Sequence, residues 1–392
     1  MATDKVYEVL VIGGGNLGLW TAYHLAKRGV DRIAVCERSW GGFGATSRSA
    51  GMVRAQGGSE TAAKLGKWSR DLYQQLGDEI GLDSGYTAVG YYILAETEEE
   101  KQAFLDLVEL RRKAGVENEW IDREEGKRRF PTLDWDRFLG ATFTPDDGYV
   151  HPPIAARNIT YAVMRSEAID LFEMCTVQGI EPTGNRYRVE TARGTFIAER
   201  VVNAAGPRGA RQIGALVDIE VPVSAARHQI VTFPTIPDDA ARSFPLWFAL
   251  RQGIYVRPEE QGALLGMSNP EERADRSEHY QLTFDWDYYE RMKPVWEGIW
   301  PVLRGQPISR AWAASIDYTP DHLPIIDEPR DGFFVLAAGG HGMMWGPALG
   351  MKMAELIDEG TITDLPDDQV RLDRFSKQLA RPDSIALPFP TE

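Results

Sequence analysis

The sequence predicts a mixed α/β fold with two closely associated domains, and three observations carry this prediction. The chain has 392 residues, more than one ordinary hydrophobic core accommodates. Val6–Ile12 is apolar and β-branched and leads through a glycine turn into a helix, as a strand buried on both faces would. Two later pairs of segments alternate like the hairpins of a half-exposed sheet: Arg186–Glu190 with Thr195–Ala198, and Gly253–Val256 with Ala263–Met267.

Composition and charge exclude several classes of protein. Hydrophobic residues make up 43% of the chain and charged residues 26%, which is typical of a globular protein. The net charge is −15 with no basic block, so nucleic acid is not an expected partner. No run approaches the ~18 uncharged apolar residues of a membrane span, and no export signal is visible. The two cysteines, Cys36 and Cys175, fit a reducing compartment, so we expect a cytoplasmic protein, and no metal site is expected.

The glycine turn after the first strand fits the pattern G-x-G-x-x-G at residues 13–18. Gly13 permits the tight turn, Gly15 lets the backbone approach a pyrophosphate, and Gly18 lets the following helix pack closely on the strand. Leu19–Arg28 is expected to form that helix. Its N-terminus would face the phosphates with the positive end of the helix dipole.

An acidic residue after the second strand completes the motif. Arg32–Cys36 is the expected strand, and Glu37 follows it. Glu37 lies 24 residues after Gly13 (37 − 13), close to the ~20-residue spacing of the acid that binds the ribose hydroxyls. A glycine-rich surface turn does not account for the strand, helix, strand and acid together, so we predict a dinucleotide site. The first fifty residues leave NAD and FAD open. The small, polar segment 41–53 favours backbone running beside a large ligand, and a flexible loop is the alternative.

Three later segments carry a resemblance to a known family. They are "ERVVNAAGPRG" (199–209), the loop "SIDYTPDHLPIID" rich in turn residues (315–327), and the strand, second glycine turn and long helix of "GFFVLAAGGHGMMWGPALGMKMAELI" (332–357). Together with the N-terminal unit they resemble the FAD-dependent amine and amino-acid oxidoreductases of the D-amino-acid oxidase, sarcosine oxidase and glycine oxidase type. "TPDHLPIID" and "GGHGMMWGPALG" look most like the sarcosine oxidase beta-subunit and dimethylglycine dehydrogenase branch.

The resemblance implies a Rossmann-like FAD-binding domain interleaved with a substrate-binding domain built on a mostly antiparallel sheet plus helices. The segments expected are 1–90, 145–220 and 315–385 for the FAD-binding domain, 91–144 and 221–314 for the substrate-binding domain, and 386–392 for a tail. Within the substrate-binding domain, residues 97–115 read as a charged amphipathic helix.

The resemblance also implies which residues contact FAD. They are Gly13, Gly15, Asn16, Leu17, Gly18, Glu37, Arg38, Thr46, Ser47, Arg48, Val177, Ala205, Gly206, Gly340, His341, Gly342, Met343 and Met344. The second glycine turn would place backbone N–H groups at the pyrimidine edge of the flavin, where reduction leaves negative charge. His341 is either part of this stabilisation or a histidine packed under the flavin with a structural hydrogen bond.

Non-covalent FAD is expected. The cysteine that carries the flavin in monomeric sarcosine oxidase corresponds to Ala314 here, and neither cysteine of this chain is near that position. The dimethylglycine enzymes attach their flavin through a histidine in the loop after the second strand, and this loop has only Arg48.

The activity implied is hydride transfer from the carbon next to an amine nitrogen to flavin N5, giving an imine that water hydrolyses. The candidates for the catalytic pocket are Tyr255, His341, Arg54, Arg251 and Trp345, accompanied by Trp247, Phe248 and Arg257. Ordinary sheet core is the alternative for the aromatic residues, and a surface salt bridge is the alternative for Arg54. The partners implied are a small amine or amino-acid substrate and an electron acceptor, either oxygen or another molecule.

Two departures from the family leave other functions open. The lysine that activates oxygen in sarcosine oxidase corresponds to Leu264, and the lysine that binds the substrate carboxylate corresponds to Met344. One alternative is therefore a flavin-binding subunit that is inactive outside a multi-subunit dehydrogenase. The other is an NAD-dependent dehydrogenase, which the first motif supports and the three later segments oppose. An oligomer or complex is possible on either view.

Overall fold

The computed structural model describes residues 5–237, 244–269 and 283–379, so the expected tail at 386–392 lies outside the described residues. The strands are β1 (Val6–Ile12), β2 (Ile33–Cys36), β3 (Met52–Val53), β4 (Tyr86–Ala88), β5 (Tyr91–Ala95), β6 (Glu119–Asp122), β7 (Gly140–Thr144), β8 (Gly148–Val150), β9 (Ile169–Phe172), β10 (Val177–Thr183), β11 (Arg186–Thr191), β12 (Gly194–Asn203), β13 (Ser224–Phe233), β14 (Leu246–Ala249), β15 (Ile254–Glu259), β16 (Gly262–Ser268), β17 (Arg310–Tyr318), β18 (Ile325–Arg330) and β19 (Phe333–Ala337).

The α-helices are α1 (Asn16–Lys27), α2 (Ala45–Arg48), α3 (Glu60–Ile80), α4 (Glu98–Lys113), α5 (Arg123–Arg129), α6 (Pro152–Arg165), α7 (Gly206–Ala215), α8 (Trp286–Ile299), α9 (Gly342–Glu359) and α10 (Asp367–Val370). Short 3-10 turns lie at Trp135–Arg137, Pro301–Leu303 and Leu372–Arg374. Among the helices of the described ranges, none combines the length and apolar character needed to cross a bilayer.

The first sheet has β1 at its centre. The strand order is β10-β11-β12-β1-β2-β9, β19 pairs with the end of β12, and β18 pairs with β19. The strands β9, β2, β1, β12 and β19 run parallel, while β10, β11 and β18 are antiparallel additions. Val9–Ile12 is buried on both faces, and α1, α3 and α9 pack over one of them. Because parallel strands end at the same edge, the turns after β1, β2, β12 and β19 lie close together.

The second sheet is almost wholly antiparallel and separates two hydrophobic clusters. Its order is β17-β13-β16-β15-β14-β5-β7-β6, with β14 and β5 as the one parallel pair among its described strands. One face packs against α8 through a tryptophan-rich cluster that includes Trp247. The opposite face carries Ile230, Phe248 and Tyr255. A three-stranded sheet, β3-β8-β4, lies beside this second face.

The structure confirms the main predicted elements. The strands of both expected hairpins pair antiparallel. The amphipathic helix is α4, whose N-cap Thr97 and Glu100 form a reciprocal capping box.

Two expectations were wrong in detail. The first helix begins at Asn16, because the turn is complete once Gly15 caps it, and not at Leu19. Residues 315–327 do not form a loop throughout. Ser315–Tyr318 completes β17 in register with β13, and Ile325 and Ile326 begin β18 as buried strand residues, so turn residues occupy only 319–324. β17 therefore crosses the domain boundary expected at 314–315.

Candidate functional site

An elongated cavity runs from the edge of the first sheet to the second face of the other sheet. The volume of the cavity is about 210 Å³. Its lining includes the turn after β1, segment 43–54, the turn after β12, the turn after β19, and side chains of β13, β14, β15 and β17. Both predicted glycine turns therefore face the same space.

The first glycine turn leaves no room for a side chain at Gly13 or Gly18. Gly13 has φ +111°, and a Cβ there would lie 2.4 Å from the carbonyl oxygen of Ala204. A Cβ on Gly18 would lie 1.9 Å from the carbonyl oxygen of Gly13, because α1 packs directly on β1. The backbone N–H of Asn16 donates to Thr46 Oγ1 at 3.0 Å, which ties segment 43–54 to the start of α1.

Glu37 lies at the far end of the cavity, directly after β2. Its carboxylate accepts the backbone N–H groups of Gly14 and Ser39, each at 2.8 Å. These two hydrogen bonds hold the carboxylate beside the glycine turn, where the sequence predicts ribose binding.

The second glycine turn brings another helix N-terminus to the cavity. Gly339 and Gly340 have φ +63° and +98°, and α9 begins at Gly342. Asn16 bridges the two turns, because its Nδ2 donates to the carbonyl oxygen of Gly342 and to the hydroxyl of Tyr73, both at 2.9 Å. Its Oδ1 is buried and has no hydrogen-bond partner.

His341 lines the cavity beside this turn in a defined tautomer. Its Nδ1 lies 3.2 Å from the carbonyl oxygen of Gly339, which can only accept, so Nδ1 carries the proton. Burial, with Arg54 and His322 nearby, holds the pKa of His341 well below its usual value. The neutral ring stacks on Trp345 with the centroids 3.9 Å apart.

A buried histidine and two tyrosines line the opposite part of the cavity. His228 Nε2 lies 3.0 Å from the hydroxyl of Tyr318, and its Nδ1 lies 3.5 Å from the hydroxyl of Tyr255. Burial lowers the pKa of His228 to about 3 and raises the pKa values of both tyrosines. All three side chains are therefore neutral at physiological pH, and a neutral imidazole always keeps one nitrogen as a proton acceptor.

Two polar side chains of β17 face the cavity between these groups. Asp317 accepts the backbone N–H of Ala338 at 2.9 Å, and burial raises its pKa to about 6. The hydroxyl of Ser315 is buried and has no hydrogen-bond partner.

Arg54 is the cation at this end of the cavity. It is buried, lines the cavity and donates to the carbonyl oxygen of Gln56. The buried carboxylate of Asp147 holds the same segment by accepting the N–H groups of Ala55 at 2.8 Å and Gln56 at 3.3 Å. Burial raises the pKa of Asp147 to about 6.

Most residues predicted for the site line the cavity. They are Gly13, Gly15, Asn16, Leu17, Glu37, Arg38, Thr46, Arg54, Ala205, Gly206, Tyr255, Gly340, His341, Gly342, Met343 and Met344.

Six of the predicted site residues lie outside the lining, each for a structural reason. Gly18 packs α1 on β1, Ser47 donates to Gly42, and Arg48 donates to Phe43 and Gly44. Val177 begins β10 and pairs with Thr191, and Trp345 is buried behind His341.

Arg251, the sixth, lies outside the lining, and so does Arg257. The side chain of Arg251 is 57% exposed and pairs with Glu100 at 3.3 Å, because it lies in the turn after β14. Arg257 is buried but points away from the lining. It pairs with Glu259 at 2.7 Å and lies over the ring of Tyr149.

Sequence reasoning missed His228, Tyr318, Asp317 and Ser315. The signal for His228 was the period-two alternation of β13, in which His228 and Ile230 face the cavity while Val231 packs on the other face. The other three were hidden because residues 315–318 were interpreted as a loop.

The residues present fit a bound dinucleotide. Two helix N-termini and backbone held open by glycines line one cavity. Asn16 and Ser315 belong to the same lining, and each carries a buried polar atom without a hydrogen-bond partner. Within the described ranges, no group of three or more His, Cys, Asp or Glu side chains is arranged to hold a metal. Fold and site together define the class: a protein with a dinucleotide site at one end of a cavity and buried polar side chains at the other.

Comparison with known proteins identifies the family within this class. Residues 8–356 match the family described as FAD dependent oxidoreductase, and the chain belongs to that family. It is 27% identical over 94% of its length to 4-methylaminobutanoate oxidase (formaldehyde-forming) of Paenarthrobacter nicotinovorans, covering 46% of that protein. It is 27% identical over 91% of its length to sarcosine oxidase subunit beta of Rhodobacter capsulatus, covering 86% of it.

A solved structure agrees with the fold. L-proline dehydrogenase from P. horikoshii superposes with a TM-score of 0.87 at 28% identity, covering 96% of this chain and 99% of that one. The chain spans less than half the length of several curated relatives, including the 4-methylaminobutanoate oxidase and mitochondrial sarcosine dehydrogenase of Mus musculus.

Proposed function

We propose that the protein binds FAD non-covalently and oxidises the CH–N bond of a secondary or tertiary amine or amino acid. One observation carries this proposal: both glycine turns and the neutral His228–Tyr255–Tyr318 group face a single cavity. Bound FAD would supply the hydride acceptor. The chain itself would position the substrate, exclude water and favour loss of the proton from the substrate ammonium.

The cofactor would lie along backbone at both ends. The N-terminus of α1 would hold the pyrophosphate, Glu37 would bind the adenosine ribose, and the N-terminus of α9 would meet the pyrimidine edge of the flavin. Ala314 lines the cavity, and both cysteines are buried, free and absent from the lining, which supports non-covalent binding. Two free thiols also support action in a reducing compartment such as the cytoplasm.

The chain would hold the substrate amine in its neutral form. An alkylammonium has a pKa near ~10 by analogy with lysine, so its deprotonation at neutral pH costs about 4 kcal/mol unless the site helps. Burial of the pocket disfavours the charged amine, and the neutral side chains of His228, Tyr255 and Tyr318 offer an ammonium no compensating negative charge. The pocket would therefore favour the neutral amine without a charged general base.

Arg54 would anchor a carboxylate on the substrate. It is the cation that lines the cavity near Tyr91 and His341, whereas Arg38 directly follows Glu37 and Arg208 lies in α7. Arg251 and Arg257 are committed to carboxylates elsewhere. An amino acid with a substituted nitrogen therefore fits better than a simple alkylamine.

We further infer that segments 1–90, 145–220 and 315–385 form the FAD-binding domain and 91–144 and 221–314 the substrate-binding domain. Sheet membership supports this, since the first sheet draws its strands from residues 6–36, 169–203 and 325–337. The exception is the end of β17, which belongs to the second sheet and faces the cofactor end.

A second candidate function is a flavin-binding subunit that works only within a complex. Similarity to a sarcosine oxidase subunit beta supports it, as does the greater length of several relatives. No lysine is among the described residues of the cavity wall, so oxygen and another electron acceptor both stay open.

The test is anaerobic reduction of the purified flavoprotein by sarcosine, dimethylglycine, L-proline, D-proline and N-methyl aromatic amines. Bleaching of the flavin absorbance by any of them supports the enzyme. Admission of air then separates an oxidase, which recovers its colour at once, from a dehydrogenase. A yellow protein that none of them bleaches favours the subunit, and a protein that cannot bind FAD refutes the proposal.

A further inference from the structure

A fully buried ion pair lies behind the second glycine turn. Asp321 and Arg374 form two parallel hydrogen bonds, Nε to Oδ2 at 2.7 Å and Nη2 to Oδ1 at 2.9 Å. Their side chains are 1% and 0% exposed, and neither lines the cavity. A buried pair of this kind is costly to desolvate and contributes little net stability compared with apolar residues of the same volume. Stability alone therefore does not explain why the pair is present.

The pair fixes a turn of the chain between β17 and β18. Asp321 Oδ1 also accepts the backbone N–H of Leu323 at 3.1 Å. The carbonyl oxygen of Leu323 accepts Arg374 Nη2 at 3.2 Å and the hydroxyl of Thr319 at 2.7 Å. The N–H and the carbonyl of Leu323 are thus both held by this group, and Leu323 cannot rotate without breaking it.

Leu323 in turn supports the second glycine turn directly. A Cβ on Gly339 would lie 2.6 Å from the carbonyl oxygen of Leu323, so the two backbones are in close contact. The other side of that turn rests on Tyr318, whose ring would lie 2.8 Å from a Cβ on Gly340. Contacts therefore run from Arg374 through Asp321 and Leu323 to the turn that begins α9.

We propose that Asp321 and Arg374 are positioning residues for the cofactor: the pair sets the place of the second glycine turn and thereby the affinity for FAD and the reduction potential of the flavin. The inference rests on the proposed FAD site. Loosening the pair would let the N–H groups at the start of α9 move away from the flavin. Because those groups stabilise the negative charge of the reduced flavin, its reduction potential would fall.

The helix that begins at the second glycine turn, α9, carries a second buried ion pair that serves as a matched control. Lys352 and Glu355 form another buried ion pair at 2.8 Å, with side chains 5% and 6% exposed. This pair lies in the later turns of α9 and does not line the cavity. Glu355→Gln should lower the melting temperature as Asp321→Asn does, but it should leave the glycine turn in place.

The experiment measures the dissociation constant of FAD by titrating the apoprotein, and the midpoint potential of the bound flavin, in wild type, Asp321→Asn, Arg374→Lys and Glu355→Gln. We expect a rise in the dissociation constant of about tenfold and a lower potential in the first two variants only. If either single variant does not fold, two further variants take its place in the same measurements. Thr319→Val removes one donor to Leu323, and the double variant Asp321→Asn/Arg374→Gln keeps hydrogen bonds without charge.

Equal FAD affinity and potential in these variants and in Glu355→Gln, at a similar loss of melting temperature, would overturn the inference and leave the pair purely structural. Failure of the wild type to bind FAD would instead refute the proposed function. The two failures are therefore distinguishable.

Discussion

The two ends of the cavity are built by different means. The proposed cofactor end is made of backbone: turns after parallel strands, two helix N-termini, and glycines that keep Cβ atoms away. The proposed substrate end is made of side chains on one face of an antiparallel sheet, including His228, Tyr255 and Tyr318. Short local sequence patterns determine this backbone geometry, whereas a side-chain pocket depends on which distant strands pair with each other.

The largest expected effect is at the backbone end. Gly13→Ala should abolish FAD binding, because the residue has φ +111° and its Cβ would lie 2.4 Å from the carbonyl oxygen of Ala204. The measurement is flavin content after purification and titration of the apoprotein with FAD. Gly29→Ala is the control, since Gly29 also has a positive φ, +88°, but nothing within 4 Å. Normal FAD affinity in Gly13→Ala would break the contrast between the two ends.

At the side-chain end the effect should fall on chemistry and not on the cofactor. His228→Phe should slow anaerobic flavin reduction about tenfold, because the hydroxyls of Tyr255 and Tyr318 lose the buried polar partner that keeps them in place. Tyr318→Phe should slow it less, since the imidazole stays. FAD affinity should be unchanged in both variants. A histidine variant that reduces at the normal rate would remove His228 from the mechanism.

Arg54 tests whether the substrate end recognises a carboxylate. Arg54→Gln should raise KM for amino-acid substrates about tenfold to 100-fold through loss of a charge-assisted hydrogen bond, with a smaller change in kcat. Arg251→Gln is the control, because Arg251 lies outside the cavity on an exposed salt bridge. An equal KM effect from Arg251 would mean that the anchor has been assigned to the wrong arginine.

The smallest effect concerns stability and pH. The pKa of His228 is about 3 in the folded protein, well below its value in the unfolded chain. Its contribution to stability is therefore present above pH 6.5 and is lost as pH falls toward 3, by less than about 1 kcal/mol between pH 7 and pH 6. Asp147 and Asp317, with raised pKa values of about 6, act in the opposite direction over part of this range.

The unfolding free energy of His228→Gln should accordingly fall less between pH 7 and pH 6 than that of the wild type. Denaturant melts at the two pH values measure this difference directly. A variant that loses as much stability as the wild type would show that His228 is not held neutral by burial.

The sequence found more of the cavity lining at the glycine-turn end than at the side-chain end, for a physical reason. Gly13, Glu37 and the second glycine turn belong to local strand–turn–helix patterns, so spacing alone finds them. His228 meets Tyr318 only because β13 pairs with β17, strands 90 residues apart at these positions. Arg251 and Arg257 were equally plausible on sequence until their partners, Glu100 and Glu259, were placed in space.

The continuity of β17 has a consequence for how such proteins diverge and how they can be re-engineered. One strand carries Ala314 on the wall of the substrate pocket and Asp317 beside the flavin turn. A chimera that imports a foreign module at the 314–315 junction would cut this strand between the two ends of the cavity. A graft should therefore take residues 310–323 from one parent.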